Sequence, residues 1–82
     1  MTASAARVVV VVTEGCHLCE DATSTVAAVC DDLDVGWRTQ DLFALSDDEV
    51  RKWRDYVPVV LVDDRVHDVF RVTADRLRAV LA

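Results

Sequence analysis

Cys16 and Cys19, with His17 and Leu18 between them, are the residues whose types and spacing can do covalent chemistry in this chain. Two cysteines three apart on a helix face the same way, with about 5 to 6 Å between their β-carbons. A disulfide wants α-carbons roughly 4.4 to 6.8 Å apart, so a small local adjustment closes one. The pair follows a run of valines and opens a stretch of helical periodicity, which sets Cys16 at a helix start. There the first amides lack intrahelical partners and the macrodipole favours negative charge, so a thiolate at Cys16 is stabilised. Thiolate character is what makes a cysteine nucleophilic at neutral pH. Position then assigns roles: Cys16 attacks, and Cys19, one turn in and less exposed, expels the mixed disulfide. His17, when protonated, adds to the thiolate's stability, whereas Glu14, Glu20 and Asp21 oppose it; the expectation is moderate activation.

Other chemistries can use the same sulfurs. A structural zinc site takes four protein ligands, and only His17, Cys30 and His67 remain as further soft ligands, none at finger-like spacing. An iron-sulfur cluster bridging two chains, a purely structural pair and a redox-dependent partner-binding domain without turnover are the alternatives to a reactive dithiol. Cys30 lies eleven residues beyond Cys19, about 16 Å along a helix, and reads as a small core hydrophobe. His67, beside Asp68, reads as a solvated polar position, and Trp37 and Trp53 as packing residues. The Asp pairs at 31/32, 47/48 and 63/64 lack the alternating acids, central glycine and terminal Glu of a calcium loop. Two isolated glycines build no phosphate cradle.

The elements that must position the sulfurs follow from periodicity. Residues 7–13 include five consecutive valines, the pattern of a central strand buried on both faces. From residue 16 to 33 Leu18, Ala22, Val26, Val29, Cys30 and Leu33 fall at helical spacing. Residues 35–42 return to extended character, and a right-handed crossover makes this a parallel βαβ unit. Ser46 to Glu49 spells a capping box for a second helix that ends before Pro58. Residues 59–62 and 65–70 read as an antiparallel pair around a turn at Asp63-Asp64. Thr73 caps a last helix buried through Leu77, Val80 and Leu81. The expected order is β-α-β-α-β-β-α, three layers of α/β structure.

Composition bounds the setting. The 82 residues carry 9 Lys and Arg against 15 Asp and Glu, a net charge of −6. That argues against nucleic acid and anionic membrane surfaces as partners, since phosphate binding draws on Lys and Arg. The longest apolar run is far shorter than the roughly 18 residues of a membrane span, and no signal pattern follows it. An odd cysteine count reads as a reducing cytoplasm, with any disulfide transient. One domain is expected over residues 7–82, a monomer with no cofactor beyond its redox-active disulfide, behind a disordered terminus at residues 1–6.

The string Gly15-Cys16-His17-Leu18-Cys19-Glu20, with Val57-Pro58-Val59-Val60 forty residues on, resembles the thioredoxin fold. The short element order is similar to the glutaredoxin branch, and more narrowly to small bacterial glutaredoxin-like proteins. The resemblance implies a four-stranded mixed sheet flanked by three helices, and thiol-disulfide oxidoreductase activity on proteins or low-molecular-weight thiols. It implies a low-molecular-weight thiol or a reductase for recycling. It also implies that Pro58 is a cis-proline beside the cysteines, leaving Val57 backbone groups to pair with an extended substrate. The sequence departs from glutathione-using members at Thr13, at His17-Leu18 and after the last strand, where no Gly-Gly turn occurs. There Arg71, Thr73 and Asp75 are the residues suited to a zwitterion.

Overall fold

The computed structural model describes residues 6–82. The expectation for the terminus therefore lies, but for residue 6, outside the described residues. Strand β1 (Val8–Val12) is followed by α1 (His17–Leu33), β2 (Trp37–Asp41), a 3-10 turn (Leu42–Ala44), α2 (Asp47–Trp53), β3 (Val59–Val62), β4 (Arg65–Val69) and α3 (Ala74–Leu81). The sheet runs β2-β1-β3-β4, with β1 parallel to β2 and antiparallel to β3, and β4 antiparallel to β3. This is the glutaredoxin-type thioredoxin fold.

Pleat alternation makes two faces from the valine run. Val8 and Val10 join Val60 and Val62 on one face, where Ala22, Val26, Val29 and Cys30 of α1 and Leu77 and Leu81 of α3 cover them. Val11 and Val59 turn the other way and meet Leu42, with Val50, Trp53 and Val57 packed at the margin. The first cluster is the main core; the second is small, and α2 contributes no fully buried residue to it. Helix α2 therefore depends on its ends. Ser46 Oγ accepts from the Glu49 N–H at 3.3 Å while the Glu49 carboxylate accepts from the Ser46 N–H at 3.5 Å, the reciprocal cap read from the sequence.

Four local features differ from the sequence reading or sharpen it. Strand β2 begins at Trp37, two residues late, because Asp34 closes α1 in the left-handed region at φ 57 and Val35 donates back to the Cys30 carbonyl at 2.8 Å. Leu42 lies in the 3-10 turn, whose first N–H groups include that of Phe43, donating to Asp41 Oδ1 at 3.2 Å. Asp63 and Asp64 both hold positive φ, 51 and 68, the geometry a two-residue hairpin turn needs. Asp63 is also gripped by Arg7 through two 3.0 Å hydrogen bonds, which hold its carboxyl below the ordinary carboxylate range. Finally, the register between β3 and β4 slips at Val60/Leu61. His67 is the extra residue there, half-buried with no partner for Nε2, not solvated.

Candidate redox site

The sulfurs sit where β1 hands over to α1. Gly15 turns the chain with φ +69, and a β-carbon there would meet open space, so the glycine answers to backbone conformation and not to crowding. Cys16 follows in extended geometry as the cap of α1. Its Sγ accepts from the Cys19 N–H at 3.1 Å, taking the role a serine oxygen usually plays at this position. An amide aimed at sulfur at a helix N-terminus stabilises negative charge on it. Cys16 and Cys19 are joined as a disulfide, with α-carbons 5.2 Å apart. Cys19 is 3% exposed, and the Thr23 hydroxyl donates to its carbonyl at 2.8 Å; Cys16 remains partly open to solvent.

The surrounding charges are all in water. The His17 side chain is 98% exposed, with Nδ1 3.5 Å from Glu20 Oε2, so its influence on the sulfur is screened by solvent and by that carboxylate. Glu14 is exposed as well. Cys30 is fully buried in the main core, and burial pushes its thiol up. Among the described residues no group of three or more His, Cys, Asp or Glu is placed to hold a metal ion.

Two grooves are lined by residues next to the cysteines in sequence, though neither cysteine lines one. The larger, about 610 Å³, is lined by Thr13, Glu14, Asp41, Phe43, Arg54 and Val57 among others. The Val57-Pro58 peptide is cis and Pro58 is buried. Among the described residues no backbone group pairs with the N–H or C=O of Val57. The smaller groove, about 200 Å³, runs between the start of α1 and the 70–73 segment, where Arg71 and Thr73 face Leu18, Asp21 and Ala22. Asp75 lies exposed in the first turn of α3, outside the lining of both grooves.

Sequence reasoning passed over two residues here. Phe70 walls the smaller groove, and Tyr56 stands against it with ring centroids 5.9 Å apart. Both are large and about half exposed, at 43% and 49%. The one signal available was an aromatic residue where a turn-forming one would be expected, between the last strand and the Thr73 cap.

Residues 7–82 match the family model described as Glutaredoxin-like domain (DUF836). Among solved structures the chain is similar to the holo form of glutaredoxin C1 from Populus tremula x tremuloides. Identity is 21%, coverage 90% of this chain and 72% of that one, and the TM-score 0.49. No curated protein matches the chain. No helix among the described residues is long and apolar enough to cross a membrane.

Proposed function

The chain belongs to the glutaredoxin-like domain family, and from that premise and its asymmetric sulfur pair we propose that it is a thiol-disulfide oxidoreductase. One observation carries the reading. At the start of α1 an amide points at the sulfur that solvent can reach, while the second sulfur is buried behind it.

The reduced protein presents Cys16 as thiolate. Its Sγ attacks one sulfur of a substrate disulfide; the S–S bond breaks, one substrate thiolate leaves, and a mixed disulfide forms. Cys19 then loses its proton and attacks Cys16 Sγ, releasing the second substrate thiolate and closing the Cys16-Cys19 disulfide. Two electrons have passed to the substrate, whose thiolates take up two protons. A low-molecular-weight thiol or a flavoprotein reductase returns two electrons to the protein.

The substrate is a disulfide-bearing polypeptide or small thiol, held in extended form by the unpaired Val57 backbone groups beside Pro58. Arg71 and Thr73, with Asp75 further out, offer charge and hydroxyl to a polar end group. Glu14 and His17 tune Cys16 only weakly, being solvated. The protein needs no further cofactor, works as a monomer in a reducing cytoplasm, and has neither nucleic acid nor membrane as partner.

Mild oxidation followed by mass spectrometry should show loss of two hydrogens localised to Cys16 and Cys19. Cys16→Ser should abolish disulfide reduction, and Cys19→Ser should accumulate mixed disulfides through Cys16. A protein that forms no such disulfide, or a Cys16→Ser variant that still reduces disulfides, would sink the reading.

A further inference from the structure

Charge is unevenly divided between the two grooves. Three carboxylates, Glu14, Asp41 and Asp55, and one guanidinium, Arg54, line the larger one, so its wall is two charges negative. All four side chains belong to exposed residues, and among the described residues none of the four takes part in an ion pair. In the smaller groove Asp21 is matched by Arg71. The imbalance therefore belongs to the side of the site where Val57 lies. Topology brings it close to the sulfurs: Asp41 ends β2 in register with Val12, at the end of the sheet where β1 hands over to α1. Two residues of chain, at most about 7 Å, separate Glu14 from Cys16.

An aromatic residue stands among these charges. Phe43 is 69% exposed, the most open of the large hydrophobic residues, and it lines the same groove. Its N–H donates to Asp41 Oδ1 at 3.2 Å, which keeps it beside that carboxylate. An accessible ring next to unpaired carboxylates suits a cation: the carboxylates accept charge-assisted hydrogen bonds, and the ring attracts positive charge through its quadrupole. An anion gains neither. At about 610 Å³ the groove falls within the roughly 300 to 1,000 Å³ of sites that hold a small molecule, so a long basic side chain fits as well.

We infer that the larger groove selects disulfide substrates that carry an ammonium or guanidinium group close to the reactive sulfur, with Glu14, Asp41 and Asp55 as the specificity-determining residues. The inference rests on the dithiol reading of Cys16 and Cys19 and adds the substrate class. The cation belongs to a basic residue beside the cysteine of a polypeptide or to a small aminodisulfide; the recognising chemistry is the same. Anionic ends are held off by the same carboxylates, and both effects weaken as salt screens them.

The test uses disulfide-bridged peptides that differ only at the residue before the cysteine, lysine in one and glutamate in the other, each rate divided by that with dithiothreitol to remove the peptides' own reactivity. At low ionic strength the protein should prefer the lysine peptide by about tenfold in kcat/KM, and salt near 1 M should bring the ratio close to one. Glu14→Gln combined with Asp55→Asn should cut the ratio by about threefold or more, and taking a ratio cancels any effect of Glu14 on Cys16 itself. Asp34→Asn combined with Asp64→Asn removes the same charge at the opposite end of the sheet and should leave the ratio as it is. Cystamine compared with hydroxyethyl disulfide, normalised in the same way, separates the sources: a preference for cystamine extends the class to small aminodisulfides, and none beside a lysine preference restricts it to polypeptides. Equal turnover of the lysine and glutamate peptides, a preference insensitive to salt, or a ratio that falls alike in both double variants would overturn the inference. The same peptides with serine in place of cysteine, titrated while the amide signals of Phe43 and Asp55 are followed by NMR, report binding without turnover. Selective binding of the lysine peptide with no reduction of either would instead remove the dithiol reading and leave the groove's selectivity standing.

Discussion

The Cys19 N–H reaches the Cys16 Sγ at 3.1 Å, so the buried half of the pair supplies the hydrogen bond that favours charge on the exposed half. In reduced protein the two thiols should therefore separate in reactivity. Iodoacetamide should modify Cys16 at least about tenfold faster than Cys19, since rate follows thiolate fraction and access. Peptide mapping after short labelling times checks this, and comparable rates at the two sites would contradict the assignment of roles.

Ser46 and Glu49 close the first turn of a helix with no fully buried residue. Ser46→Ala should lower the unfolding free energy by about 1 kcal/mol, the usual cost of losing a cap. Amide exchange should quicken selectively across α2 and into Tyr56 and Val57. A uniform change over the whole sheet would mean that α2 does not depend on its cap.

Cys30 is fully buried, and desolvation chiefly raises its thiol above the ordinary value of 9.0, with Asp31 adding and Arg7 opposing. Above that value the unfolded chain gives up a proton that the folded one keeps. The stability tied to Cys30 is thus complete at neutral pH and declines as pH rises from about 9 toward the folded value. Cys30→Ala should flatten this alkaline decline relative to wild type, whatever its effect at pH 7. Urea midpoints measured across the alkaline range test it, and parallel slopes would refute it.

Leu77 is fully buried in the main core and, with Leu81, anchors α3. Leu77→Ala should cost about 2 to 5 kcal/mol, the range for a leucine whose cavity cannot fully collapse. Denaturant unfolding measures it. A loss below about 1 kcal/mol would show that α3 is held chiefly by other contacts, such as the 2.6 Å Arg78 to Asp32 pair.

Much of this arrangement could be read from the chain because its signals are local. Five valines in a row identify a central strand, a serine three residues before a glutamate announces a capped helix, and two cysteines at a strand-to-helix junction mark the site. The 3-10 turn at Leu42 escaped because three residues have no period, and a single carboxylate, Asp41, directs it. His67 escaped because a bulge is a matter of register between two strands. The small groove escaped for a stronger reason: its two walls, residues 18–25 and 70–73, lie some fifty positions apart and meet only through the sheet. Asp75 lies two residues beyond Thr73, where the groove's lining ends.

The two apolar clusters differ in size, and the two sides of the proposed site rest on different ones. Helix α1, which carries Cys19 and is capped by Cys16, is fastened to the larger cluster, whereas the stretch from Trp53 to Val57 leans on the smaller one. Segments with few buried contacts open at lower free energy than those in the main core. The stretch proposed to pair with substrate at Val57 should thus open at lower free energy than the helix whose start holds the sulfurs.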